Sequence, residues 1–167
     1  MKMKFKKSLV GVGACIVFAI YAYTELKPNV PLPAQEEVSF VRCVDGDTAR
    51  LMIDGKEEVV RFLAVDTPET VKPGTPVQPF GKEASDYTCS ILTNAKQLTL
   101  EYEPSNLKDN YDRTLAWVWA DGVLLQQQLV SQGLAEVKYI YGDYQYTDML
   151  YEVQNQAKAE ERGVWSK

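Results

Sequence analysis

The chain has 167 residues, 46% hydrophobic and 25% charged, enough for one packed domain and too apolar for a disordered chain. It carries no His, and three Cys without a Cys-x-x-Cys pair, which excludes Ser-His-Asp and Cys-His catalysis, His-ligated zinc and a disulfide-dense mini-protein. The net charge of −5 divides into +4 over residues 1–27 (five Lys, one Glu) and −9 over residues 28–167 (13 basic, 22 acidic), so the body is no general polyanion binder and would need a few placed cations or a divalent metal to hold one.

The N-terminus opens on a basic head, Lys2 to Lys7, followed by an apolar run from Leu9 to Tyr23. Such a segment reads as a signal peptide or a short N-terminal membrane anchor over residues 1–23. The run falls short of the ~20 residues of a full membrane span, and Ile20-Tyr21-Ala22 is a weak cleavage site, so removal and retention both stay open. Lysines ahead of the run place the rest of the chain outside the cytoplasm, secreted or tethered to the outer face of the membrane. Residues 24–37 hold three Pro without apolar periodicity and read as a spacer. The folded domain is expected over 38–167.

Within that domain, Val38–Val44, Thr48–Ile53 and Glu57–Val65 read as strands, the last two joined by the turn Asp54-Gly55. Four Pro make Asp66 to Pro79 a loop long enough to be functional. Phe80–Asn94 has helical spacing, Gln97–Tyr102 and Thr114–Ala120 alternate as strands, and Val123–Gln132 reads as a helix closed by Gly133. Val137–Tyr141 is a short extended piece and Gln145–Arg162 an amphipathic helix. The sum is an α+β domain, a small β-barrel with helices packed on it. Cys43 and Cys89 fall in the first strand and the first helix. Buried thiols are the default reading, and a disulfide is open to an exported chain.

Three clusters could carry chemistry. Asp45-Gly46-Asp47-Thr48 joins two strands. Arg61 interrupts an otherwise apolar strand that ends in Asp66-Thr67-Pro68-Glu69, and a buried Arg demands a partner. Asp109-Asn110-Tyr111-Asp112-Arg113 precedes another strand. Each alone has a plain structural explanation: a turn, a wall salt bridge, a polar hairpin. Together they offer two guanidinium forks suited to phosphate, oxygen ligands suited to Ca²⁺ or Mg²⁺ rather than zinc, and a carboxylate left over to activate water.

These clusters, in this order, with Thr70, Gln132-Gly133-Leu134-Ala135 and Trp165-Ser166, resemble the staphylococcal (thermonuclease-type) nuclease family from Val38 to the end of the chain. The resemblance implies an OB-fold, a five-stranded barrel with three helices, and a Ca²⁺-dependent nuclease of DNA and RNA that leaves 3′-phosphate ends. It implies that Asp47, Asp66 and the Thr67 carbonyl hold the calcium ion. Glu69 would activate the attacking water, and Arg61 and Arg113 would grip the scissile phosphate. Tyr111, Tyr139 and Tyr141 would contact the nucleotide, with Lys72 in the adjoining loop. The expected partners are the nucleic-acid substrate and, if the N-terminal segment is retained, the membrane; the expected state is a monomer. A non-catalytic OB-fold binding module is the alternative, and it has no need of this full acid and arginine set. Asn110 stands where the best-known member has Lys, Asp112 replaces a Gly, and the body is acidic where that enzyme is basic.

Overall fold

The computed structural model describes residues 35–70, 74 and 76–166. The segment read as a signal or anchor, most of the spacer, and Lys72 lie outside the described residues. β1 spans Glu36–Cys43, β2 Thr48–Ile53, β3 Lys56–Phe62, β4 Val65–Asp66, β5 Leu98–Glu101, β6 Thr114–Ala120, β7 Val123–Leu124 and β8 Glu136–Val137. The helices are α1 Gly81–Asn94, α2 Leu125–Ser131 and α3 Thr147–Ala159, followed by a 3-10 turn at Gly163–Trp165.

β1, β2 and β3 form an antiparallel meander, and β5 and β6 continue the sheet from the other side of β1. β1 serves both halves: residues 36–38 pair with β5 and residues 39–43 with β2, with a register irregularity between Phe40 and Arg42. Such an irregularity bends a strand. The bend brings β3 round to pair in parallel with β6, Val60 opposite Thr114 and Phe62 opposite Ala116. This closes a five-stranded barrel carrying three helices, the architecture expected of an OB-type domain. Leu51, Val60, Phe62, Leu100 and Trp117 are fully buried inside it.

The β2–β3 hairpin turns at Asp54 and Gly55, both at positive φ (47° and 77°), as a tight hairpin requires. α1 buries Ala84, Thr88 and Leu92 at four-residue spacing. α2 places the fully buried Gln126 against β6, where it accepts from the Val118 N–H at 3.1 Å and donates to the Ala116 carbonyl at 2.9 Å. Gln154 of α3 accepts from the Val137 N–H at 2.7 Å. Gly133 and Gly163 meet back to back, where a Cβ on Gly133 would stand 2.2 Å from the Arg162 carbonyl oxygen. That contact seats the C-terminal turn.

Several boundaries differ from the sequence reading for identifiable reasons. β1 begins two residues earlier because Glu36 and Glu37 pair with Leu100 and Thr99. The run Glu57–Val65 is broken at Leu63-Ala64, where Ala64 adopts φ 59° and reverses the chain. Val123 and Leu124 fold back on Trp119 and Ala120 before the helix starts. Of Val137–Tyr141, only Val137 belongs to a strand, in the β4–β8 pair.

The default reading of Cys43 and Cys89 as separate thiols is overturned. They form a disulfide with their Cα atoms 5.6 Å apart, because α1 lies directly over the end of β1. Closing a 46-residue separation is worth about 4 kcal/mol on the loop-entropy scale. Replacing both residues with Ser is expected to lower unfolding stability by about 2–4 kcal/mol, read in a denaturant or thermal melt. An unchanged midpoint would show that the two sulfurs are not joined.

Candidate active site

The β1–β2 connection is a tight loop: the Val44 and Asp45 N–H groups both donate to the Thr48 carbonyl at 3.1 Å. The Asp47 N–H donates to Asp45 Oδ1 at 3.2 Å, an Asx-type turn. Gly46 is required by proximity rather than by φ. A Cβ there would lie 2.7 Å from Thr67 Oγ1 and 2.9 Å from the Ala84 Cβ. The Gly46 carbonyl accepts from Thr88 Oγ1 of α1 at 2.5 Å. These contacts press Asp47 inward against Thr67.

Asp47 is buried. Its Oδ2 accepts from the Thr67 N–H at 2.8 Å and from Thr67 Oγ1 at 3.0 Å, and lies 3.1 Å from Arg61 Nη2. Arg61 answers the question its sequence context raised. Nη1 donates to the carbonyls of Phe62 and Val65, at 3.0 and 2.8 Å, and Nη2 faces Asp66 Oδ1 at 3.3 Å as well as Asp47. The reversal at Ala64 brings the Val65 carbonyl within reach. The second oxygen of Asp66 pairs with Lys138 Nζ at 2.8 Å. Burial, and then the neighbouring Asp47 charge, push the Asp45 carboxyl up to about 6.

Glu69 sits where the chain enters the long loop. Its N–H donates to Gln78 Oε1 at 2.9 Å and its carbonyl accepts from the Gln78 N–H at 3.0 Å. The Gln78 carbonyl in turn accepts from the Gly81 N–H at the head of α1. Glu69 Oε1 accepts from the Thr70 N–H at 3.0 Å.

The Arg113 loop is organised by Asp109. Its Oδ1 accepts from the N–H groups of Tyr111 and Arg113 at 2.9 and 3.0 Å, and its Oδ2 accepts from Arg113 Nε at 2.7 Å. Burial acts to raise the Asp109 carboxyl, and these hydrogen bonds outweigh it and hold the group below its ordinary range. Arg113 lies 5.5 Å from the Tyr111 ring centroid. Asp112 adopts φ 61°, in the left-handed region that favours Gly.

A cleft of about 590 Å³ gathers these groups. Asp47, Asp66, Thr67 and Glu69 line it, as do Arg61 and Arg113. Tyr111, Tyr139 and Tyr141 also line it, with Tyr111 and Tyr141 largely exposed. Every site residue named from the sequence is therefore brought to one cleft, except Lys72, which lies outside the described residues. Sequence reading gave no role to Asp109, Gln78 or Lys138. Asp109 had a signal in its four-residue spacing from Arg113; the other two depend on loop closure and on the β4–β8 pairing. Among the described residues no three His, Cys, Asp or Glu side chains form a ready metal cage. The donor set is nonetheless all oxygen, which fits a hard cation that completes its shell with water and a substrate oxygen.

The model of the staphylococcal nuclease homologue family matches residues 59–167. The chain belongs to the staphylococcal nuclease family. Among its relatives, the thermonuclease of Staphylococcus hyicus is 42% identical over 162 residues, 95% of each chain. Endonuclease YncB of Bacillus subtilis is 38% identical over 88% of this chain and 72% of its own. The thermonuclease of Staphylococcus intermedius is 42% identical over 75% of this chain and 74% of its own.

The close approach at Gly46 makes this family member sensitive to a single methyl group. Gly46→Ala is expected to cost about 1–3 kcal/mol of stability, the range for overpacking a closed site, in a thermal melt. An unaltered melt would show that the Asp47 loop is not pinned against Thr67 and α1.

Proposed function

We propose that the protein is a calcium-dependent, largely sequence-non-specific nuclease that hydrolyses phosphodiester bonds of DNA and RNA by in-line attack of water and leaves 3′-phosphate ends. Phosphodiester hydrolysis as such follows from membership of the staphylococcal nuclease family. The observation that carries the finer reading is the convergence of Glu69, both arginines and the two aspartates on one cleft.

Asp47, Asp66 and the Thr67 carbonyl would hold the calcium ion. Bound there, it would supply Lewis-acid stabilisation of charge on the phosphoryl oxygen. Glu69, its backbone held from both sides by Gln78, would orient a water molecule and accept its proton. Arg113 spends Nε on Asp109, which leaves its terminal nitrogens to meet the charge that builds on the phosphoryl group. Arg61 has a double duty, since the donors that would face the phosphate also bind two carbonyls and two carboxylates. Tyr111, Tyr139 and Tyr141 offer aromatic faces at the cleft. Stacking on such faces is worth roughly 1–3 kcal/mol per base and reads no sequence.

The basic head and apolar run of residues 1–23 support export, with the nuclease domain secreted or tethered to the outer face of the cytoplasmic membrane. The Cys43–Cys89 disulfide adds support, because such bonds persist in oxidising compartments and are rare in the cytosol.

Digestion of plasmid DNA by the full chain is expected with Ca²⁺ and not with chelator; cutting that survives chelator would end the metal assignment. Glu69→Ala and Arg113→Ala should each lower turnover at least about 10²-fold while the circular-dichroism melt keeps its midpoint. Collapse of either melt would make that residue structural instead. Cell fractionation followed by thiol labelling should find the protein outside the cytosol with Cys43 and Cys89 unlabelled. A cytosolic protein with both thiols labelled would sink the export reading.

A further inference from the structure

Lys138 belongs to none of the three sequence clusters, yet the fold delivers its ammonium to the site. The β4–β8 pair sets Val65 opposite Val137 and Asp66 opposite Glu136. The Lys138 N–H then donates to the Ala64 carbonyl at 2.9 Å. With its backbone fixed beside β4, Lys138 reaches Asp66 Oδ2 at 2.8 Å. Its ammonium lies 5.2 Å from the Tyr139 ring centroid, and the Arg61 guanidinium lies 5.8 Å from the same centroid. Two cations thus share both one carboxylate and one aromatic ring.

We infer that Lys138 is a built-in competitor for the divalent cation: its ammonium holds an Asp66 oxygen and must leave it before that oxygen can ligate the ion, so this lysine sets the ion's affinity. The inference rests on the calcium reading of Asp47 and Asp66. Of the two cations on Asp66 among the described residues, Lys138 is the one built to leave. Arg61 is fastened to two carbonyls and to Asp47 as well, with a side chain 10% exposed. The Lys138 side chain is 49% exposed, and a flexible stem lets the ammonium move into water at small cost. A pair this exposed is worth little in absolute terms, which suits a contact that must be exchanged in each binding event.

The test is calorimetric titration of the full chain with calcium chloride, without nucleic acid, comparing the wild type with Lys138→Met and Lys138→Arg. The Met variant should bind Ca²⁺ about two- to fivefold more tightly, the range set by removing one exposed ion pair, and the Arg variant should stay at the wild-type value. The gain should shrink at high NaCl, which screens the pair. A Met variant that misfolds in the calcium-free melt is replaced by Lys138→Gln, with the same expected direction. Equal or weaker binding by a folded, charge-free variant overturns the competitor role, as does tightening by Lys138→Arg to the same extent. A wild type that takes up no calcium sinks the calcium reading itself, a result distinguishable from the other two.

Discussion

A buried guanidinium organises this structure. Arg61 stands on β3 at the seam where the barrel closes against β6, with a side chain only 10% exposed. An ion of that size costs several kcal/mol to bury unless it is paired and hydrogen-bonded. Its four contacts come from three places: Asp47 in the β1–β2 loop, the carbonyls of Phe62 and Val65 around the β3–β4 reversal, and Asp66 on β4. The seam closes at acceptable cost only when both aspartates are present. The acids are therefore drawn to the seam by the same guanidinium that they neutralise. The same economy makes Arg61 a poor probe of chemistry, because its removal takes from the buried Asp47 the guanidinium that faces it.

α1 acts as a backboard for the segments bearing Asp47 and Glu69. Its first residue, Gly81, donates to Gln78, which brackets the backbone of Glu69. Ala84 limits the space beside Gly46, Thr88 donates to the Gly46 carbonyl, and Cys89 bonds covalently to Cys43. One helix thus contacts the loop bearing Asp47 and, through Gln78, the backbone of Glu69. Arg113 is secured separately, by Asp109.

Much of this was legible in the sequence, and what escaped has a common cause. Thr48–Ile53 and Thr114–Ala120 were read to the residue because alternation, turn chemistry and burial agree there. Arg61 was suspected because a charge in an apolar strand has no local explanation, and Asp47, Asp66 and Glu69 because acids cluster at strand ends. The reversal at Leu63-Ala64 carries no Gly or Pro, so local chemistry hid it; Arg61 then fastens the Val65 carbonyl that it brings back. Val123 and Leu124 fit a helix pattern as well as a strand, and only the edge of β6 decided between them. Whether Cys43 met Cys89, whether Gln78 faced Glu69 and whether Lys138 reached Asp66 all turn on contacts between segments distant in sequence. No periodicity reports such contacts.

The charge distribution raises a harder problem, and the cleft suggests its solution. Residues 28–167 carry a formal charge of −9, which repels a polyanion at long range. The cleft itself is lined by five acids (Asp45, Asp47, Asp66, Glu69 and Asp109) against two arginines, and Lys138 adds one cation at its edge. Each of these cations already faces an acid, so the described residues of the cleft offer an incoming phosphate no surplus of positive charge. Asp112, exposed next to Arg113, is matched by Lys108, whose Nζ lies 3.0 Å from it, and so leaves the balance unchanged. Under the calcium reading, two added charges would roughly cancel the formal −2 of this set, and would do so where the phosphate must sit. Metal dependence would then be a condition for approach as much as for chemistry. An enzyme with a basic surface could still hold its substrate without the ion; this acidic one would lose both binding and turnover together.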